Sequence, residues 1–237
     1  MTVFMAMLAL LAADEKDDAL SKFAAAFKAK EVDARVAAVV ELAKTQHEKI
    51  HAKLGSLLLT DVAEVRIAAA KGLSAAQDNK KKITNYLLNG FLANAADLSV
   101  EAEIIETLDK LQSGLGKSAL ETYFKGADFQ AAKTAIETAG QLKRKDLIAS
   151  LVAFYKWMEQ QSKAYLSAGP KAKGFTGRGL PGDTGPTVDS DAPKRLKALG
   201  PVVENVLFAL TKQRLTGAQE WDDWWQKNGT DFKFPEK

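Results

Sequence analysis

A short amphipathic helix recurs along this chain, and the recurrence limits what the chain can fold into. It is clearest in Asp61–Leu73, DVAEVRIAAAKGL. With Arg66, Ile67, Ala69, Ala70 and Leu73 as reference, Arg35, Val36, Ala38, Val39 and Leu42 occupy the same positions 31 residues earlier. Val100–Leu108 repeats the apolar spacing without the arginine, and Phe129–Ile136 is a fourth copy. Ile105, Leu108, Leu111, Leu120 and Phe124 align in turn with Ile136, Ala139, Leu142, Leu151 and Tyr155. Apolar residues three and four apart place one stripe on each helix. One helical hairpin cannot bury both sides of such a stripe, whereas stacked hairpins close a core between two layers. The many alanines let helix axes approach toward the ~8 Å end of the packing range.

The periodicity predicts four helix–turn–helix units: Val32–Lys44 with His47–Leu59, Val62–Ala76 with Lys80–Asn94, Ser99–Gln112 with Lys117–Lys125, and Asp128–Lys143 with Asp146–Tyr165. Residues 15–28 form a preceding helix with Leu20, Phe23, Ala24 and Phe27 on its apolar side. Phe154, Tyr155, Trp157 and Met158 form an aromatic band that reads as core. Asn79–Lys82 reads as a solvated helix start.

These residues resemble HEAT-like repeats of the phycobilisome-lyase type. Asp61, Val65, Arg66, Ala69, Ala70 and Leu73 carry the resemblance, and Asp33, Arg35, Ala38 and Leu42 carry part of it. Copies three and four keep only the apolar spacing, so the similarity covers roughly residues 15–160. It implies an all-α, right-handed α-α superhelix, a HEAT-like solenoid over residues 14–166 that serves as a binding surface. The lyase activity of some relatives would need a bilin pocket, which nothing in this sequence specifies. Arg35 and Arg66 are expected to tie neighbouring repeats together through carboxylates or helix-end carbonyls, in preference to forming a binding surface.

The chain has 33 basic and 30 acidic residues, a net charge of +3. That near balance gives no reason to expect a nucleic-acid partner. It has no cysteine, which excludes disulfides, zinc fingers and thiol catalysis. Residues 1–13, MTVFMAMLALLAA, are apolar and stop abruptly at Asp14-Glu15-Lys16-Asp17-Asp18. They are too few to span a bilayer as a helix and suit a signal peptide, which implies export to the periplasm or cell envelope and no membrane span in the mature chain.

Residues 167–193, SAGPKAKGFTGRGLPGDTGPTVDSDAP, are too rich in glycine and proline for a helix and are expected as a loop. Residues 194–237 are then expected as helices that cap the solenoid. Leu196, Leu199, Val203, Val206, Leu207 and Leu210 give Pro193–Lys212 its stripe, with a kink or new start near Gly200-Pro201. Trp221, Trp224 and Trp225 follow a Thr216-Gly217 segment and share one helical face. This tail resembles that of HEAT-repeat proteins from planctomycete-like bacteria, where such a helix closes the end of the stack. The alternative for the tryptophans is a stacking surface for sugar or peptide.

One motif looks like chemistry. His47-Glu48-Lys49-Ile50-His51 spells H-E-x-x-H with the only two histidines of the chain. On a helix it would offer two imidazoles to Zn²⁺ and a glutamate to activate water, as in a zinc-dependent hydrolase. Against this, there is no third histidine and no strand run, and Ile50, Leu54, Leu57 and Leu58 make the buried stripe. That places His47, Glu48 and His51 on or beside the outer rim. The expectation is therefore no catalytic, cofactor-binding or metal site and no enzyme. The chain reads as a monomeric interaction or scaffold protein for a protein or peptide partner, with a structural envelope component as a further alternative.

Overall fold

The computed structural model describes residues 16–76, 78–95, 97–167 and 189–235. The expected signal peptide, 1–13, lies outside the described residues, as does most of the expected loop. Every regular element among the described residues is an α-helix, so the fold is all-α. In chain order these are α1 (16–26), α2 (Val32–Leu42), α3 (Glu48–Leu57), α4 (Ala63–Leu73), α5 (Lys80–Ala93), α6 (Leu98–Leu111), α7 (Leu115–Lys125), α8 (Phe129–Leu142), α9 (Lys145–Ser167), α10 (Ala192–Thr211) and α11 (Gly217–Asn228). None of the described helices is long and apolar enough to cross a membrane. The chain divides into two compact units, residues 1–119 and 120–237.

In the first unit, α2 packs on α4 and α4 on α6, forming one layer. In the second layer α3 packs on α5, while α3 also meets α4 and α5 meets α6. The repeated positions form the core between the layers: Val39, Leu42, Val65, Ala69, Leu73, Ile104 and Leu108 from one side, and Ile50, Leu54, Leu58, Ile83, Leu87 and Phe91 from the other. Full burial of a side chain such as Leu54 contributes about 1.5–3 kcal/mol, so this stripe dominates the unit's stability. The arginines behave as expected. Arg35 on α2 reaches Asp61 at 3.1 Å, just ahead of α4. Arg66, its counterpart on α4, reaches Asp97 at 3.4 Å, the N-cap of α6, and also Asn94 Oδ1. Each arginine thus ties one repeat to the start of the next.

In the second unit, α10 packs on both α8 and α9, and α11 packs on α9. Thus α10 follows α8 as α4 follows α2, and α11 follows α9 as α5 follows α3. The segment expected only to cap the stack supplies one further helical pair in the same contact order. Phe154, Tyr155 and Met158 are buried, so the aromatic band is core as expected. Phe154 stacks between Phe124 (centroids 5.3 Å apart) and Trp157 (5.8 Å).

Three local expectations change. The helix α9 runs to Ser167 and α10 begins at Ala192, so both ends of the expected loop 167–193 are helical; residues 168–188 lie outside the described residues. The expected fresh start at Gly200-Pro201 is absent, because α10 is helical throughout. Pro201 is exposed, and the flanking Leu199 and Val203 are buried. A helical proline costs ~3 kcal/mol, and the packing of those neighbours holds the helix through it. On α1, only Phe23 of the expected stripe is buried, and Ala24 is exposed.

Candidate functional site

The H-E-x-x-H pentapeptide does not lie along one helix. Helix α3 starts at Glu48, and His47 is its N-cap in an extended conformation, φ −150° and ψ 146°. Its Nδ1 accepts from the Lys49 backbone N–H at 3.1 Å, satisfying one of the helix's orphan donors. The two imidazoles therefore do not form the i, i+4 pair of a zincin helix. Glu48 is exposed and bonded to Lys82 of α5, whose ammonium holds its carboxyl below the usual carboxylate range. The lowered pKa makes it a weaker base than an unpaired carboxylate.

His51 corrects the sequence reading most clearly. It was expected beside the outer rim, yet it is 4% exposed. It follows Ile50 directly and lies about one turn before Leu54 in α3, which packs on α4 and α5. Its Nε2 faces Gln46 Oε1 at 3.4 Å, and its Nδ1 is buried without a hydrogen-bond partner. Burial pushes its pKa below the ordinary histidine value, with His47 adding to the shift and Asp78 and Glu48 opposing it. The ring is therefore neutral at physiological pH, with the Nε2–H tautomer assigned from its bond to Gln46. Both histidines line a polar recess of about 250 Å³ with Gln46, Glu48, Asp78 and Asn79. Among the described residues, no three His, Asp or Glu side chains are grouped as a metal ion requires.

The second unit holds two polar devices that the sequence reading missed. Arg195 on α10 is 4% exposed. Its guanidinium donates to Gly126 O at 2.7 Å and, at 3.3 Å, to Asp189 Oδ2. It also lies over the Phe129 ring, 4.8 Å from its centroid, and near that of Trp157. Arg195 thereby satisfies a carbonyl just past the end of α7 and fixes the start of α10. A signal was present: Arg195, Leu199, Val203 and Leu207 are spaced by four, so the arginine continues the buried stripe.

The other device holds the start of α11. Gly217 N donates to Glu204 Oε1 at 3.0 Å, and Ala218 N donates to Glu159 Oε1 at 2.9 Å. Tyr155 Oη donates to the same Glu204 oxygen at 2.6 Å, and burial with that bond pushes the phenol pKa up. Two carboxylates at a helix N-terminus also complement its dipole. Gly217 has φ +80°, which favours glycine at that position of the Thr-Gly segment. The tryptophans then separate in role. Trp221 is fully buried, with its indole N–H unpartnered, while Trp224 and Trp225 are half-buried around Phe232.

Arg195, Glu159 and Glu204 each hold one helix against another. Comparison with family models, with curated proteins and with solved structures gives no match.

Proposed function

We propose that this chain is a non-enzymatic interaction or scaffold protein built as a HEAT-like right-handed α-α superhelix and exported to the periplasm or cell envelope. The observation that supports this reading is the repeated order of helix contacts, α2–α4–α6 with α3–α5 in one unit and α8–α10 with α9–α11 in the other. Repeats of this kind extend a surface by adding similar units, and such surfaces bind protein or peptide partners. The polar groups support it too: Arg35, Arg66, Arg195, Glu159 and Glu204 are each engaged in joining helices. In this reading the tryptophan helix α11 closes the far end of the stack, and the apolar segment 1–13 directs export.

The test is affinity capture from native extract with residues 14–237, beside a version lacking 168–192. A stoichiometric partner retained by both baits places the contact on the helices. A partner lost with the deletion moves it to that segment. Absence of any stoichiometric partner, together with a hydrolytic activity or stoichiometric zinc that depends on His47, would overturn the reading.

A further inference from the structure

The seam between α2 and α4 forms a groove of about 580 Å³, lined by Val40, Ala43, Lys44, Gln46, Ala68, Lys71, Gly72 and Ala75. Its floor consists of small residues. A Cβ on Gly72 would come within 2.7 Å of the Ala43 Cβ, so the trough marks a close approach of the two helices. Its wall includes Val40, which is 51% exposed although it lies within α2. Valine is a modest helix former, and neither local propensity nor the buried core accounts for it there.

The corresponding seam between α4 and α6 is different in kind. There Thr107 takes the register position of Gly72, and Glu103 is ion-paired with Lys71 (3.5 Å) and Lys110 (3.6 Å). Of these two seams, the α2–α4 seam combines an apolar floor with a rim whose charged members are both lysines, Lys44 from the turn after α2 and Lys71 from α4. Lys44 pairs with Glu41 and Lys71 with Glu103, but both lysines are more than half exposed, and an ammonium has three donors, so each keeps donor capacity for an incoming carboxylate. Along α4 the groove runs from Ala68 to Gly72, about one helical turn, and it continues past the helix end to Ala75.

We propose that this groove is a docking site for a short amphipathic helix of a protein partner, with aliphatic residues in the trough and Asp or Glu on both flanks. The apolar floor takes the i, i+3/i+4 stripe, as in helix-in-groove recognition. The lysines on the two sides select acidic flanks and reject basic ones by like-charge contact. This assignment rests on the interaction-protein reading and names the surface and the chemistry of its partner.

The probe is a short fluorescein-labelled peptide with leucine at every third or fourth position and glutamate between, beside its lysine-for-glutamate counterpart. Both are titrated into the full chain by fluorescence anisotropy at low salt. The glutamate peptide is expected to bind about tenfold or more tighter than the lysine peptide. Lys44→Glu with Lys71→Glu should reverse that preference, and Val40→Glu should weaken the glutamate peptide by about tenfold. All three positions are exposed, and helical circular dichroism confirms that the variants fold. No binding, equal binding of both peptides, or binding unaltered by the charge reversal would overturn the assignment. The two levels separate cleanly. A captured native partner that Val40→Glu still holds leaves the scaffold reading standing and removes the groove. If no native partner is captured, the titration alone decides the groove.

Discussion

Asn94 is the residue whose loss the first unit should feel most for its size. It is 3% exposed and ends α5. Its side-chain Nδ2 donates to Leu58 O at 2.9 Å, at the end of α3, and to Gly90 O at 2.6 Å in its own helix. Its Oδ1 accepts from the Arg66 guanidinium on α4. One carboxamide therefore joins three helices and is satisfied on both ends. Asn94→Ala removes all three bonds. Net worth is about 1 kcal/mol for each neutral bond and about 1.5–3 for the charged one, and the stranded Leu58 carbonyl adds to the loss. Asp97 remains on Arg66 and offsets part of it. The expected cost is about 3–4 kcal/mol, on the order of a 15 °C fall in melting temperature for a unit this size. Backbone circular dichroism in urea is the assay, because all four tryptophans, at 157, 221, 224 and 225, lie in the second unit and report on that one. Asn94→Asp is the control. It keeps the acceptor for Arg66 but replaces both donated bonds with oxygen facing carbonyl oxygen, so it should lose at least about 2 kcal/mol. A loss under about 1 kcal/mol for alanine, or a fully stable aspartate variant, would refute the idea that this carboxamide holds the three helices together.

The remaining predictions concern the histidines and the second unit. His51 is neutral and buried, with its folded pKa depressed, so the unfolded chain takes up the proton first as pH falls. The stability it contributes is complete above the unfolded histidine pKa of ~6.5 and is lost progressively below it; urea midpoints at pH 7.5 and 5.5 should therefore differ less in His51→Leu than in the parent. His47→Ala should cost about 0.5–1 kcal/mol through the lost cap and leave zinc content and hydrolytic rate unchanged, which metal analysis and an esterase assay would check. Gly217→Ala should cost about 1 kcal/mol or more by thermal melting, since an L side chain is strained at φ +80°. Trp221→Ala should cost about 3–5 kcal/mol through the cavity it leaves, and Trp221→Phe less than half of that, because the indole N–H it discards has no partner to lose.

Much of this fold was legible from period alone. Helix type, the order of the helices and most of their ends follow from local rules: apolar residues three and four apart, acids at helix starts such as Asp97 and Asp128, and glycine at the positive-φ positions 114 and 217. The structural role of Arg35 and Arg66 was legible for the same reason, since two arginines in one register imply one repeated contact. Whether a polar side chain is buried, and which partner it finds, depends on neighbours remote in the sequence. H-E-x-x-H looks like a helical metal motif, but the chain starts α3 one residue late, which turns His47 into a cap, and His51 is buried within α3. Arg195 has the spacing of a core residue, yet its burial depends on the Asp189 carboxylate and, from farther along the chain, on the carbonyl past α7 and two aromatic rings. Glu159 and Glu204 look like solvated charges until α11 brings its N-terminus to them. The sequence by itself determined the helices and the stripes that bury them. The tertiary structure decided which charges are spent on joining those helices and left the lysine-rimmed α2–α4 groove open, because a charge is satisfied by atoms in space, whatever their distance along the chain.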